Sequence, residues 1–195
     1  MADGDRLRPP DTEATKDAWR AWARGVARTL DWVSLSARVC RGLRTFPPLR
    51  HGGTVLTYLP MLDEIDLTVL VESQPRNRWL ASRTPDDGPL TVHELGGPLE
   101  QHPLGFPQPV ASAPHVDPER IDVVLVPGLA FDLFGHRLGR GMGYYDELLT
   151  RIPAHAVRIG VAPSSLVADR LPTEDHDQPV HWLAAEEGVV DVVIT

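Results

Sequence analysis

The stretch Ile121-Asp-Val-Val-Leu-Val126, continuing as Pro127-Gly-Leu-Ala-Phe-Asp132, decides the fold. Its first half is apolar at adjacent positions, so both faces of an extended chain would be covered. That is the pattern of a central strand in a parallel sheet. Pro127-Gly128 ends the run. Arg137-Leu-Gly-Arg-Gly-Met-Gly-Tyr-Tyr-Asp146 follows, and a short helix is expected over Tyr144 to Ile152. Strand, glycine-rich loop and helix in this order put the loop at the carboxyl end of a strand, where ligands of open α/β sheets gather. Glycines let a backbone approach a ligand closely and take positive φ. Successive N–H groups can then form an anion nest beside a helix N-terminus. Arg137 and Arg140 offer planar forks to phosphate oxygens. Asp146 offers a carboxylate to a hard cation. The segment therefore reads as a phosphate and metal site. It has neither the Gly-Lys-Ser/Thr of a Walker A loop nor Gly-x-Gly-x-x-Gly spacing, because Gly139, Gly141 and Gly143 alternate.

The remaining chain supplies the other layers. A helix is expected from Thr12, capped by Thr12 or Thr15, with Ala18, Trp19, Trp22, Val26 and Leu30 at helical spacing. Lys16, Arg20, Arg24 and Arg28 form a basic stripe on it, and Lys16 reads as an exposed cation. A second helix covers Ser34 to Arg44 and stops before Pro47-Pro48. Strands are expected at Thr54 to Leu59, Trp79 to Ser82, Leu90 to Glu94, Arg158 to Ala162 and Val189 to Ile194, with a short helix at Ile65 to Glu72. The Pro- and Gly-rich residues 96–119 read as irregular. Strands alternating with helices or long crossovers indicate an α/β domain with a mostly parallel sheet. Residues 1–11 read as a flexible tail and 12–195 as a single domain.

Composition narrows the function. A formal charge of −8 over 195 residues excludes general affinity for nucleic acid or an anionic membrane, so an anionic ligand needs a local basic pocket. Lys16 is the only lysine. The one cysteine, Cys40, lies in an apolar helical pattern and reads as a buried packing residue; one cysteine cannot make an internal disulfide. Met1 to Thr15 is polar, and no run approaches membrane-spanning length, so a cytoplasmic location is expected. None of the eight histidines makes a zinc pattern, and no nucleophile elbow surrounds Ser164-Ser165.

Val126-Pro-Gly-Leu-Ala-Phe-Asp132 and Arg137 to Asp146 closely resemble the signature of the 5-formyltetrahydrofolate cyclo-ligases, also called 5,10-methenyltetrahydrofolate synthetases. That signature runs approximately V-P-G-x-x-F-D, a short spacer, then R-x-G-x-G-x-G-Y-Y-D. Further pieces recur in the family's order: Lys16 with Arg20, Asp63-Glu64-Ile65, Pro107-Gln108-Pro109, and Leu171-Pro-Thr-Glu-Asp-His-Asp177. The resemblance implies a three-layer, Rossmann-like fold of the CoA transferase-like type, ATP as co-substrate and Mg²⁺ as cofactor. It assigns Lys16, Arg20, Arg137, Gly139, Arg140, Gly141, Met142, Gly143, Tyr144 and Tyr145 to ATP, with Arg140 and Tyr145 as catalytic candidates. Glu64, Leu104 and Tyr144 fall to the folate, and Asp146 and Asp177 to the metal.

A carboxylate at Glu64 suits a pterin, whose amino group and ring N–H are paired donors. The chain departs from relatives at three positions. Leu104 stands where some carry an aromatic residue, Met142 where some carry lysine, and Leu166 where the family has glutamine. These departures leave open an ATP-dependent enzyme for another amide-like substrate; a non-catalytic folate or nucleotide binder is the remaining alternative. The partners expected are small molecules, and the chain is expected to be a monomer.

Overall fold

The computed structural model describes residues 8–193. Its centre is a seven-stranded sheet built around the stretch quoted first. β1 (Thr54–Thr57), β2 (Arg78–Arg83), β3 (Thr91–Glu94), β6 (Val123–Pro127), β9 (Val157–Val161), β11 (Trp182–Ala185) and β12 (Gly188–Asp191) lie in the order β12-β11-β9-β6-β1-β2-β3. The five inner strands are parallel, and β3 and β12 close the two edges antiparallel. β6 is the middle strand, as its two-sided apolar pattern predicts. Three-residue strands β4 (Leu99–Gln101) and β5 (Pro107–Pro109) form a separate hairpin. Short strands β7 (Ala130–Asp132), β8 (Arg137–Leu138) and β10 (Val167–Ala168) form a third sheet.

Alternation along the strands divides the core into two layers. Leu56, Leu80, Val124 and Val126 face one side, where they join Trp19, Trp22, Ala23 and Val26 of α1 (Lys16–Ala27) and Leu148 and Leu149 of α5 (Tyr144–Thr150). Val55, Trp79, Val123 and Leu125 face the other side. There they meet Val39, Cys40 and Leu43 of α2 (Trp32–Thr45), Leu49 of α3 (Pro47–Arg50) and Leu70 of α4 (Thr68–Ser73). Residues one apart on a strand point oppositely, so one apolar run serves both layers. The three-layer, mostly parallel α/β architecture expected from the sequence is present. Cys40 is buried, as expected, and its thiol donates to the Asp66 carbonyl.

Several boundaries differ for physical reasons. The Thr15 hydroxyl accepts the Ala18 amide and caps α1, so the helix starts at Lys16 and not near Thr12. Asp31 caps α2 through the Ser34 amide, extending it beyond the expected Ser34–Arg44. Pro47-Pro48 ends α2 but also opens α3, since proline is suited to a first helical turn. Residues 96–119 are not irregular throughout: they carry the β4–β5 hairpin and a 3-10 turn at Pro118–Arg120. The last strand ends at Asp191 rather than at Ile194, which lies outside the described residues, as do residues 1–7 of the expected tail.

Candidate active site

The parallel strands β1, β2 and β6 end at one rim of the sheet, and a cleft of about 690 Å³ opens there. Its walls are the segments leaving those strands: Tyr58 to Glu64 after β1, Thr84 to Asp86 after β2, and Pro127-Gly128 after β6. The glycine-rich loop, the N-terminus of α1, the turn of the β4–β5 hairpin and Glu174 to Asp177 complete it. All the candidates singled out in the sequence line this one cleft: Lys16, Arg20, Glu64, Leu104, Arg137, Gly139 to Tyr145, Asp146 and Asp177.

Close packing fixes the loop. A Cβ on Gly128 would meet Arg137 Cγ and Phe131 Cε2 at 2.9 Å, so only glycine lets the loop lie against that arginine. Gly141 and Gly143 have φ of 109° and 69°, a region that favours glycine. Gly139 does not share this conformation; its carbonyl instead accepts Arg20 Nε at 3.0 Å. Gly143 precedes α5 without a side-chain cap, which leaves amides of the first turn for a ligand.

The basic side chains are all engaged with protein oxygens. Lys16 Nζ lies 2.8 and 3.1 Å from the Asp177 carboxylate and 3.4 Å from Glu174. Its side chain is only 17% exposed, so Lys16 is not the exposed lysine expected from the helix pattern. Arg137 Nη2 donates to Asp146 Oδ1 at 2.7 Å, and the Gln178 amide donates to the same oxygen at 3.2 Å. Arg137 Nε is buried with no partner, a donor that a ligand oxygen could satisfy. Arg140 Nη2 reaches Asp63 at 2.7 Å and Glu64 at 3.2 Å. Arg24 and Arg28, further along the stripe, are exposed and do not line the cleft.

These contacts set the ionisation of the site. Burial pushes the Glu64 carboxyl above the usual carboxylate range, although the Met61 amide and Arg140 pull against it. Asp177 is held below that range: desolvation raises it, but Lys16 and the Glu174 amide outweigh the effect. Burial pushes the Tyr145 phenol up to about 12, even with the Ser82 hydroxyl 3.3 Å away. Tyr145 thus stays a neutral hydrogen-bonding group at physiological pH. Both Tyr144 and Tyr145 are partly buried against the α1-side core yet open to the cleft, and Arg137 sits 5.7 Å from the Tyr145 ring centre.

Leu104 and Met142 are 75% and 69% exposed at the cleft, so neither is a core residue. Leu166, by contrast, is buried and serves packing. Ser82 and Glu174 are site residues that sequence reasoning missed; Glu174 sits in the quoted Leu171–Asp177 turn, whereas nothing local marks Ser82. Asp132, quoted in the signature, lies wholly buried outside the cleft. It accepts the amides of Phe134, His136 and Leu171 and the His136 ring, so it shapes the loop base.

No group of three or more His, Cys, Asp or Glu side chains is arranged to hold a metal ion among the described residues. Asp146 and Asp177 nevertheless fit Mg²⁺ chemistry, which takes one or two carboxylates plus substrate phosphates and water. Asp146 Oδ2 takes no hydrogen bond among the described residues, and the Gln178 amide ties the segment carrying Asp177 to Asp146.

A covered, mostly parallel sheet whose strand ends open into a glycine-walled cleft lined by paired cations and carboxylates defines an α/β fold with a polar ligand cleft. A sequence model of the 5-formyltetrahydrofolate cyclo-ligase family matches residues 21–186. The 5-formyltetrahydrofolate cyclo-ligase of Escherichia coli (strain K12) is 30% identical over 151 residues, covering 71% of this chain and 80% of that protein. That of Mycolicibacterium smegmatis is 44% identical over a shorter span of 70 residues, 35% of this chain and 36% of the relative. The solved structure of Aquifex aeolicus 5,10-methenyltetrahydrofolate synthetase superposes with a TM-score of 0.78 at 31% identity, covering 90% of this chain and 92% of the other. The chain belongs to the 5-formyltetrahydrofolate cyclo-ligase family. No helix among the described residues is long and apolar enough to cross a membrane.

Proposed function

We propose that the chain converts 5-formyltetrahydrofolate to 5,10-methenyltetrahydrofolate with consumption of ATP and release of ADP and phosphate. One observation carries this reading beyond family membership. Arg140 joins the cationic, glycine-walled half of the cleft to the half containing Glu64, through a 3.2 Å contact between the two side chains. A ligand with phosphates on the first half and a donor-bearing ring at Glu64 would bring its two reacting ends together there.

By analogy with the family, the formyl oxygen attacks the γ-phosphorus of ATP, and ADP leaves. The oxygen, poor as a leaving group before, becomes part of an imidate-like phosphate. N10 of the folate attacks the activated carbon and gives up its proton to solvent, and the C–O bond breaks to release phosphate. Lys16, Arg20, Arg137 and Arg140 offset phosphate charge by exchanging their carboxylate partners for phosphate oxygens. Tyr145, kept neutral, donates or accepts a hydrogen bond without taking up charge. Glu64 orients the pterin through its paired donors. Mg²⁺ held by Asp146 and Asp177 would supply charge neutralisation on the phosphates. No protein nucleophile is needed; the chain contributes positioning and electrostatics.

The reading is tested by following near-ultraviolet absorbance of the methenyl product with and without ATP. ATP-dependent product formation is expected. ATP hydrolysis with other amide-like substrates but not with 5-formyltetrahydrofolate would favour the related-enzyme alternative. Binding of either ligand without turnover would favour a non-catalytic module. With no membrane-crossing helix among the described residues, a cytoplasmic monomer acting on small molecules is the setting we propose.

A further inference from the structure

The hairpin β4–β5 forms part of the cleft wall, through His102, Leu104, Phe106 and Pro107. Its turn is stiff within itself. The His102 amide donates to the Phe106 carbonyl at 2.8 Å, the Gly105 amide to the His102 carbonyl at 2.8 Å, and the two rings stack 4.4 Å apart. The strands, however, are three residues each and pair only with one another. A lone two-stranded hairpin is marginal in water. Something must therefore fix this rigid flap against the body of the protein.

The fixing group lies at the end of β2. Arg83, whose side chain is 9% exposed, donates through Nη1 to the Glu100 carboxylate and, at 2.6 Å, to the Pro109 carbonyl. One guanidinium thus grips both strands of the hairpin. Gln108, a buried residue of β5, accepts the Thr84 amide at 3.1 Å and turns its amino group toward Glu100 at 3.4 Å. The Arg83 hydrogen bond holds the Glu100 carboxyl below the usual range, so the grip persists across the working pH range. None of Arg83, Glu100 and Gln108 lines the cleft.

We propose that Arg83, acting through Glu100 and Gln108, is a positioning residue that sets affinity for the ring-bearing substrate by holding the β4–β5 wall in place. The proposal rests on the function given above for the identity of that substrate, but the anchoring itself does not. ATP lies on the glycine-rich loop in that reading and not on this hairpin, so the effect should separate by ligand.

Arg83→Met keeps an apolar stem and removes the grip. The expected result is a KM for 5-formyltetrahydrofolate raised at least tenfold, with the KM for ATP within twofold of the parent. Arg83→Lys should recover part of the loss, because an ammonium can also donate to two acceptors but sits on a shorter side chain than the guanidinium Nη1. Glu100→Gln, at a half-exposed position, keeps the fold if Arg83→Met does not, and should raise the same KM about threefold. Amide hydrogen exchange across residues 99–109 gives a readout independent of substrate and should accelerate in each variant. Unchanged exchange there overturns the anchoring role. Faster exchange with an unchanged folate KM, or with both KM values raised alike, overturns the claim that the wall selects the ring-bearing ligand. Absence of turnover in the parent protein, with the exchange result intact, would instead count against the proposed reaction alone.

Discussion

Lys16→Met tests the electrostatics of the cleft most directly. The variant keeps the length and apolar stem of the lysine and removes its ammonium. Asp177 then retains the Glu174 amide at 2.8 Å and the His176 ring at 3.9 Å. Removing one partner of a fully buried pair costs about 3–5 kcal/mol, whereas an exposed pair contributes about 0–1 kcal/mol. The two side chains are 17% and 10% exposed, between these limits. We therefore expect a loss of about 2 kcal/mol. For a chain of this size that lowers Tm by roughly 4–8 °C.

The sign with pH follows from the depressed Asp177 carboxyl. Its stabilisation is present above the ordinary carboxylate range and is lost as pH falls through the folded value. The Tm gap between parent and variant should accordingly close in acid. A cycle with Asp177→Asn should give a coupling of roughly 1–2 kcal/mol. In ATP turnover, loss of one charge-assisted contact of about 1.5–3 kcal/mol should lower kcat/KM roughly 10- to 100-fold. Additivity in the cycle within about 0.5 kcal/mol, together with an unchanged ATP titration, would refute the reasoning and remove Lys16 from the site.

Asp146→Asn should raise the Mg²⁺ concentration needed for half-maximal turnover at least tenfold. In the parent, Mg²⁺ without ATP should leave Tm unmoved, because Lys16 holds both Asp177 oxygens and Arg137 holds Asp146 Oδ1, leaving one carboxylate oxygen for the ion. Glu64→Gln should raise Tm at neutral pH, since a buried carboxyl with a raised pKa destabilises the fold once ionised. That gain should vanish below about pH 4, where the unfolded carboxyl is also protonated, and folate-dependent turnover should fall sharply in an absorbance assay. Leu104→Trp, at a 75% exposed position, should leave Tm unchanged and tighten 5-formyltetrahydrofolate binding up to tenfold, if stacking adds roughly 1.4 kcal/mol. A calorimetric titration showing equal gain for ATP would contradict that placement.

Strong local patterns were legible. β6 announces itself because both faces are apolar, and α1 because Trp19, Trp22 and Val26 recur on one side, although Ala18, read with them, is exposed and the buried Ala23 was not read. β11 was not read: Trp182-Leu-Ala-Ala185 carries no β-branched residue and becomes a strand through its parallel ladder with β9. The β4–β5 hairpin hid in a proline-rich stretch; Pro107 and Pro109 are tolerated in a short, isolated hairpin. At the site, the residue types pointed to phosphate and metal chemistry, and the signature loop gathered most of them. The pairings were not legible. That Asp177 would neutralise Lys16, or that Ser82 would approach Tyr145, depends on tertiary packing over long separations in sequence.

The same separations bear on how the chain is made. Lys16 and Asp177 lie 161 residues apart, and Arg20 and Gly139 lie 119 apart. Beyond these, α1 packs chiefly against β8 and the 3-10 turn at Ser164–Leu166, all from the later part of the chain. At a synthesis rate of roughly 5–20 residues per second, those 161 residues take about 8–30 s to emerge. During that interval α1 leaves the ribosome with Trp19 and Trp22 uncovered by the elements that later bury them. A nascent chain halted before β8 would lack the elements α1 packs against and would present this two-tryptophan helix to solvent, open to chaperones and proteases.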